Sequence, residues 1–322
     1  MTEPTSVRPI FIGACPRSGT TFLGDRVGAL LNGRVMPESQ FKRPALRALA
    51  VNGPEVAVKV LDNERSYRLW RDRPARETLL KCNDAASFLS HLVFPAGVPV
   101  GTAPIWVDHT PINFEDFSIL RRAFPNARFV NLVRDGRAVF SSVRGLEWGP
   151  RNPMHASWWW AARTAPGLAA SLRHPDCCIT VRYEDLARGH LDDWSSLLTF
   201  LTAGEKRSVT PEELSASSGF EVPDYTRHQH QLVGEAPSAD RVESWRTTLS
   251  QREIEIFEAN NGGALLEMLG YDRLFSFPRP AIRSEMIRMG EWPFRVTAEP
   301  IKKFKQALRW NKVKSADKVT SA

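Results

Sequence analysis

Short apolar runs rich in β-branched residues alternate with longer stretches of helical periodicity, and few folds accept that alternation. The runs occupy residues 9–13, 56–60, 105–107, 129–133 and 179–181. Near-continuous apolar strands of this length suit a parallel sheet covered on both faces by helices. Residues 20–31, 113–124, 136–143 and 154–172 read as the intervening helices. The order predicts an α/β layered fold, in which ligands gather at the carboxyl ends of the strands. From Ser215 to Ser238 the pattern dissolves into Ser, Gly, Pro and His, which predicts a long loop or lid. Helix resumes over residues 250–269, with Gly270 as its C-cap.

The 322 residues are 42 % hydrophobic and 25 % charged, a globular balance that argues against wholesale disorder. No apolar run approaches the ~20 residues needed to cross a bilayer. The apolar stretch 10–15 is too short for a secretory signal and ends in Pro16-Arg17, so export is not expected. Cys15, Cys82, Cys177 and Cys178 form neither a CxxC pair nor a disulfide framework, which predicts reduced thiols and a cytoplasmic setting. The net charge of +7 is confined to one end. Residues 1–275 carry 32 Lys/Arg against 32 Asp/Glu, and residues 276–322 carry 11 against 4. We therefore expect a domain over 1–275 and a basic, partly helical extension over 276–322. The charge excess describes that extension and gives no sign of a nucleic-acid partner.

The run at 10–12 leads into Gly13-Ala14-Cys15-Pro16-Arg17-Ser18-Gly19-Thr20-Thr21 and then into a helix. Such a turn aims backbone N–H groups and a positive helix end at one spot, which suits an anion. Arg17 adds a fixed charge, and Ser18, Thr20 and Thr21 add hydroxyls. A nucleoside-triphosphate loop needs GxxxxGK[ST]. Here no Lys follows Gly19, the charged residue precedes the glycine, and Asp108 in Ile105-Trp106-Val107-Asp108 only imitates a Walker-B carboxylate. A second anion site is expected where the run 129–133 delivers Arg134 to its carboxyl edge and the next helix carries Ser142. Arg137 and Ser141 read as solvated helix positions.

These residues carry a resemblance. Pro16-Arg17-Ser18-Gly19-Thr20-Thr21 is similar to the 5′-phosphosulfate loop of sulfotransferases that use 3′-phosphoadenosine 5′-phosphosulfate (PAPS), most of all in the bacterial and tyrosylprotein branch. Arg134 and Ser142 resemble that family's 3′-phosphate motif in spacing and order. The resemblance implies a three-layer, P-loop-like α/β fold with a central parallel sheet flanked by helices. It implies PAPS as co-substrate, 3′,5′-adenosine bisphosphate (PAP) as product, no metal, and in-line transfer to a hydroxyl or phenol on a small-molecule or lipid-like acceptor. Matched residue by residue, Arg17, Ser18, Gly19, Thr20 and Thr21 face the 5′ end, and Arg134 and Ser142 face the 3′-phosphate. Val181-Arg182-Tyr183-Glu184-Asp185-Leu186 is similar to a segment whose tyrosine lies near the adenine, although Tyr183 also reads as a core aromatic. Residues 241–245 resemble a stretch that contacts nucleotide, which assigns Arg241. Gly270-Tyr271 resembles the end of the domain.

The acceptor needs a general base. Glu38, just past the first helix, matches a glutamate with that role in the bacterial and tyrosylprotein relatives. His109 stands where the related segment presents a Lys tied to the bridging oxygen, so it is either a second catalytic candidate or a structural side chain bonded to Asp108. With Arg17 on the leaving oxygen, Glu38, His109 and Arg17 form the catalytic set. His228 and His230 lack partners at ligand spacing, so no metal is expected. Trp158-Trp159-Trp160 cannot all share one helix face, which divides them between core and acceptor pocket. A nucleotide kinase and a nucleotide-binding protein without catalysis are the competing readings.

In the extension, Glu299-Pro300 reads as a helix start. Ile301, Phe304 and Leu308 form an apolar stripe flanked by Lys302, Lys303, Lys305, Arg309 and Lys312, with Trp310 near the end. Such a helix either docks on its own domain or lies on an anionic membrane surface, which would place the protein at the inner membrane face.

Overall fold

All five strands described run in the same direction in the computed structural model, which describes residues 7–70, 72–98, 104–223 and 242–275. β1 (Arg8–Ala14) lies at the centre. On one side it pairs with β3 (Ile105–Asp108), whose outer neighbour is β2 (Arg34–Met36). On the other side it pairs with β4 (Arg128–Val133), which pairs in turn with β5 (Cys178–Arg182). Strand order is therefore β2-β3-β1-β4-β5.

Both faces are covered, as the apolar strands require. Phe11, Trp106 and Phe129 point to one face and pack with the helices α2 (Lys42–Asn52) and α3 (Pro54–Asn63) and with the helix Ala85–Val93. Ile10, Ile12, Val107 and Val130 point to the other. They meet Leu23 and Val27 of α1 (Thr20–Leu31) and Trp194, Leu197 and Leu198 of the helix Leu191–Leu201. This is the three-layer parallel architecture expected from the alternation. A third cluster joins Phe140, Trp160, Trp245 and Phe257 beyond the end of β4.

Several local readings change. Residues 56–60, expected as a strand, lie inside α3. Pro54 occupies its first turn, and Ala57, Val58 and Leu61 are buried while Val56 is exposed, which is helical rather than alternating spacing. The short edge strand β2 was not anticipated. The expected helix 113–124 begins as a 3-10 turn over Pro111–Asp116 and becomes α-helical only at Phe117–Ala123. The helix expected over 250–269 divides into Gln251–Glu258 and Asn261–Met268, with Gly262 N donating to Ser157 Oγ (2.6 Å) at the break. Gly270 follows in the left-handed region, as its C-cap role requires. Of the expected loop, residues 216–223 follow the helix Pro211–Ser215. Arg241, His228, His230 and the whole basic extension lie outside the described residues. No helix described is long and apolar enough to cross a membrane.

Arg137 is not solvated. It is 1 % exposed, forks onto Asp135 (2.6 Å), reaches Glu258 (2.5 Å) and stacks over the Trp245 ring at 4.0 Å. Asp135 also caps the helix Gly136–Val143 by accepting from Arg137 N. Glu258 accepts from the backbone of Leu274 and Phe275, so one guanidinium ties the end of the described chain to the end of β4. Ser141 bonds Thr248 Oγ1 (2.7 Å). Arg137→Met leaves two buried carboxylates without their cation and should cost about 3–5 kcal/mol in urea unfolding. A loss below ~1 kcal/mol would remove Arg137 from this role.

Candidate functional site

β1, β3, β4 and β5 all end at one edge of the sheet, and of the residues singled out from the sequence Arg17, Ser18, Gly19, Arg134, Ser142 and Tyr183 meet there, while Arg241 lies outside the described residues. After β1 the chain turns through Arg17 (φ 74°) and Gly19 (φ 99°), both left-handed. Only glycine fits the second position, because a Cβ at Gly19 would lie 2.6 Å from the Tyr183 ring. α1 then starts with no side-chain cap and no acidic residue in its first turn. Its positive end is left for another anion. Ser18 is 1 % exposed, and its Oγ has no hydrogen-bond partner among the described residues. A buried hydroxyl without a partner is costly unless a ligand supplies one.

β4 delivers Arg134 to the same place. Its Nη1 donates to Arg17 O (3.0 Å), its guanidinium lies over the Tyr183 ring at 4.6 Å, and its Nε has no partner among the described residues. Trp160 Nε1 donates to Arg134 O (3.1 Å), so the third tryptophan of the run belongs to this site's frame. Arg17 Nε donates to Ser142 Oγ (3.2 Å) across 125 residues. Burial and the neighbouring Arg134 charge both push the Arg17 pKa down, and Glu38 pulls it back. Two converging guanidiniums, an unpartnered hydroxyl and an uncapped helix end make a built receptor for a multiply charged anion such as a nucleotide phosphate.

Glu38 sits in the loop between β2 and α2, half-buried. Loss of water raises its carboxyl to about 7, aided by Asp108 and opposed by a hydrogen bond from Gln40 and by the Arg17 and Lys42 charges. A carboxylate so poised is a competent proton acceptor near neutrality.

His109 is 2 % exposed, and neither ring nitrogen has a partner among the described residues. The expected bond to Asp108 is absent because that carboxylate is taken by Lys42 (2.6 Å), Ser39 Oγ (3.0 Å) and Thr110 N (2.9 Å). The imidazole packs instead against Gly24 of α1 and edge-on to Phe220 (5.3 Å). Burial lowers its pKa to about 4, against the pull of Asp108 and Asp25. Near neutral pH it therefore carries no charge.

Sequence reading missed two features here. Lys42 gave no local signal, because the helix it starts is not among those expected from the sequence and its partner Asp108 is distant along the chain. The other is a clasp over α1. Asp25 accepts from Ser217 Oγ (3.0 Å) and Ser218 N (2.9 Å), and Arg26 donates to the carbonyls of Ser215 and Ala216. It joins segments almost two hundred residues apart and has no local pattern. Among the described residues no group of His, Cys, Asp and Glu is arranged to hold a metal ion.

With this geometry in view, likenesses to known proteins can be placed. A model of a sulfotransferase family matches residues 9–203. Protein-tyrosine sulfotransferase 1 of Danio rerio is 25 % identical over 276 residues, covering 82 % of this chain and 72 % of the relative. The protein-tyrosine sulfotransferase of Drosophila melanogaster is 24 % identical over 281 residues, and there the match spans about half of the relative (51 %) and 82 % of this chain. The solved sulfotransferase domain of the Synechococcus PCC 7002 olefin synthase superposes with a TM-score of 0.53 at 20 % identity, covering 84 % of this chain and 98 % of that one. That last likeness is one of fold.

The burial of His109 generates a prediction independent of any relative. An unfolded histidine titrates near 6.5, whereas this one must reach about 4 before it accepts a proton in the folded state. The unfolded state therefore binds more protons between those values, and stability falls as pH drops from about 6.5 toward 4. The difference in unfolding free energy between wild type and His109→Leu, measured across that window, should shift by about 3 kcal/mol in all, with the wild type losing more. Parallel curves would mean that the imidazole protonates freely in the folded protein.

Proposed function

The chain belongs to the sulfotransferase family, and from that premise we propose that it transfers a sulfuryl group from PAPS to a hydroxyl acceptor. The observation that carries the reading is the anion receptor of Ser18, Arg17, Arg134 and the uncapped start of α1, set within electrostatic reach of a carboxyl held at about 7. Arg17, Ser18, Gly19, Thr20 and Thr21 would hold the 5′-phosphosulfate, and Arg134 and Ser142 the 3′-phosphate. Tyr183, packed between Gly19 and Arg134, would border the nucleoside. The acceptor oxygen attacks sulfur, and the bond from sulfur to the bridging oxygen breaks. The bonding pair stays on the phosphate oxygen, and the acceptor proton passes to Glu38. Catalysis of this type rests on positioning and on positive charge at the leaving oxygen, here assigned to Arg17.

Two features favour this over the kinase reading. No lysine follows Gly19, and Asp108, the only carboxylate that imitated a Walker-B residue, is committed to the Lys42 ammonium. For the acceptor, the relatives' names make a phenolic hydroxyl the first to try, ahead of small-molecule or lipid-like alcohols.

PAP should raise the melting temperature while ATP with Mg²⁺ does not, and an acceptor screen with PAPS should give a product heavier by one SO₃ group. Stabilisation by ATP with Mg²⁺ alone would overturn the reading. Arg134→Ala should weaken PAP about 10- to 100-fold, the loss of one charge-assisted contact, while adenosine 5′-phosphate changes little. Equal losses would place Arg134 elsewhere. Glu38→Gln should keep PAP affinity and lower turnover ~10²-fold or more, and wild-type kcat/KM should fall below about pH 7, where the carboxyl protonates. Full turnover in that variant would transfer the proton to another group.

A further inference from the structure

Lys42 is 2 % exposed and stands at the first position of α2, where both desolvation and the helix dipole oppose a cation. Its Nζ donates to Asp108 Oδ2 (2.6 Å), Asn113 Oδ1 (2.5 Å) and Ser39 Oγ (3.1 Å). An ammonium has three N–H donors, so none is left for a substrate. We propose that Lys42 is a positioning residue for Glu38, its buried ammonium pinning the loop that carries the carboxylate to the end of β3. This rests on the reading of Glu38 as the proton acceptor.

The neighbouring bonds give the proposal its reach. Ser39, adjacent to Glu38, donates its N–H to Thr110 Oγ1 (2.9 Å) and its Oγ to Asp108 (3.0 Å), and its carbonyl accepts from Lys42 N (2.9 Å). Asn113 Nδ2 donates to Ile12 O (2.9 Å), in the last half of β1 ahead of the anion-binding turn. The Glu38 loop, the end of β3 and the root of that turn thus form one rigid frame around a single buried charge pair. Four groups face Glu38: Asp108 from β3, Arg17 from the turn, Lys42 from α2 and the Gln40 amide from its own loop. Losing Lys42 removes one cation and leaves the Asp108 charge uncompensated, and both changes favour the protonated carboxyl. Losing the Asp108 charge does the reverse.

The test follows the Glu38 carboxyl in the full chain labelled with ¹³C-glutamate, its signal assigned by its disappearance in Glu38→Gln. Lys42→Met should raise the midpoint by about half a pH unit or more, and Asp108→Asn should lower it by a similar amount. The double variant Lys42→Met/Asp108→Asn should return near the wild-type midpoint. It carries no unpaired buried charge, so it serves if either single variant fails to fold. In turnover, the double variant should lose ~10-fold or more in kcat with the KM for PAPS unchanged, because the loop is no longer pinned. Midpoints that stay with the wild type in the single variants, or a double variant with wild-type kcat, would overturn the proposal and leave Lys42 as a fold-holding residue. A wild type that titrates as expected but consumes no PAPS would instead overturn the functional reading alone, since the carboxyl titration does not depend on it.

Discussion

Two guanidinium groups meeting at one edge of a sheet repel each other, and much of this structure serves to hold them there. Residues 17 and 134 follow adjacent strands whose register sets Ala14 beside Leu132. The pair is then tied by one bond, from the Arg134 guanidinium to the Arg17 carbonyl. Tyr183 supports Arg134 from below through its ring, and Trp160 holds the Arg134 carbonyl. Gly19 must be glycine to let that ring approach, and its left-handed backbone starts α1 without a cap. Strand register, aromatic packing and helix start thus meet at one electrostatic arrangement, two neighbouring cations whose repulsion a bound anion would relieve.

The second constraint is the polar frame on the other side of β1. A buried ion pair is weak evidence for stability, because two desolvation penalties offset the attraction between the charges. Its use here is geometric. Asp108 accepts from Lys42, Ser39 and Thr110, and Asn113 carries the frame to the carbonyl of Ile12. The bonds from Lys42 and Ser39 tie the Glu38 loop to the end of β3, and that from Asn113 ties the frame to β1. His109 lies beside this frame but outside it, neutral and packed on α1.

What could be read in the sequence follows what is local. The strand–turn–helix at 10–31 and the Arg134–Ser142 spacing are contiguous patterns, and the structure brings both to one edge. Residues 56–60 were misread because a short β-branched run has the same composition in a buried helix and in a strand, and only Gly53-Pro54 hinted at a helix start. Arg137 was misread because its partners Asp135, Glu258 and Trp245 are brought together only by the tertiary fold. The same holds for Lys42, whose partner Asp108 is sixty-six residues away. Buried charges are the hardest residues to read from a sequence, because exposure is the expected state of Lys and Arg and the exceptions are made by distant partners.

On the proposed reading, the acid–base problem changes once the donor is bound. The free site holds Glu38 at about 7 through burial and Asp108 on one side and Arg17 and Lys42 on the other. A phosphosulfate beside Arg17 offsets that cation, and excluding water deepens the burial penalty; both drive the carboxyl toward its protonated form. Of the two cations, only Lys42 is unaffected, because its three donors are committed to Asp108, Asn113 and Ser39 rather than to the nucleotide. Its charge is already compensated by Asp108, so the pair fixes the loop that carries Glu38 and adds little net charge there, and the loss of the Arg17 charge is what moves the carboxyl.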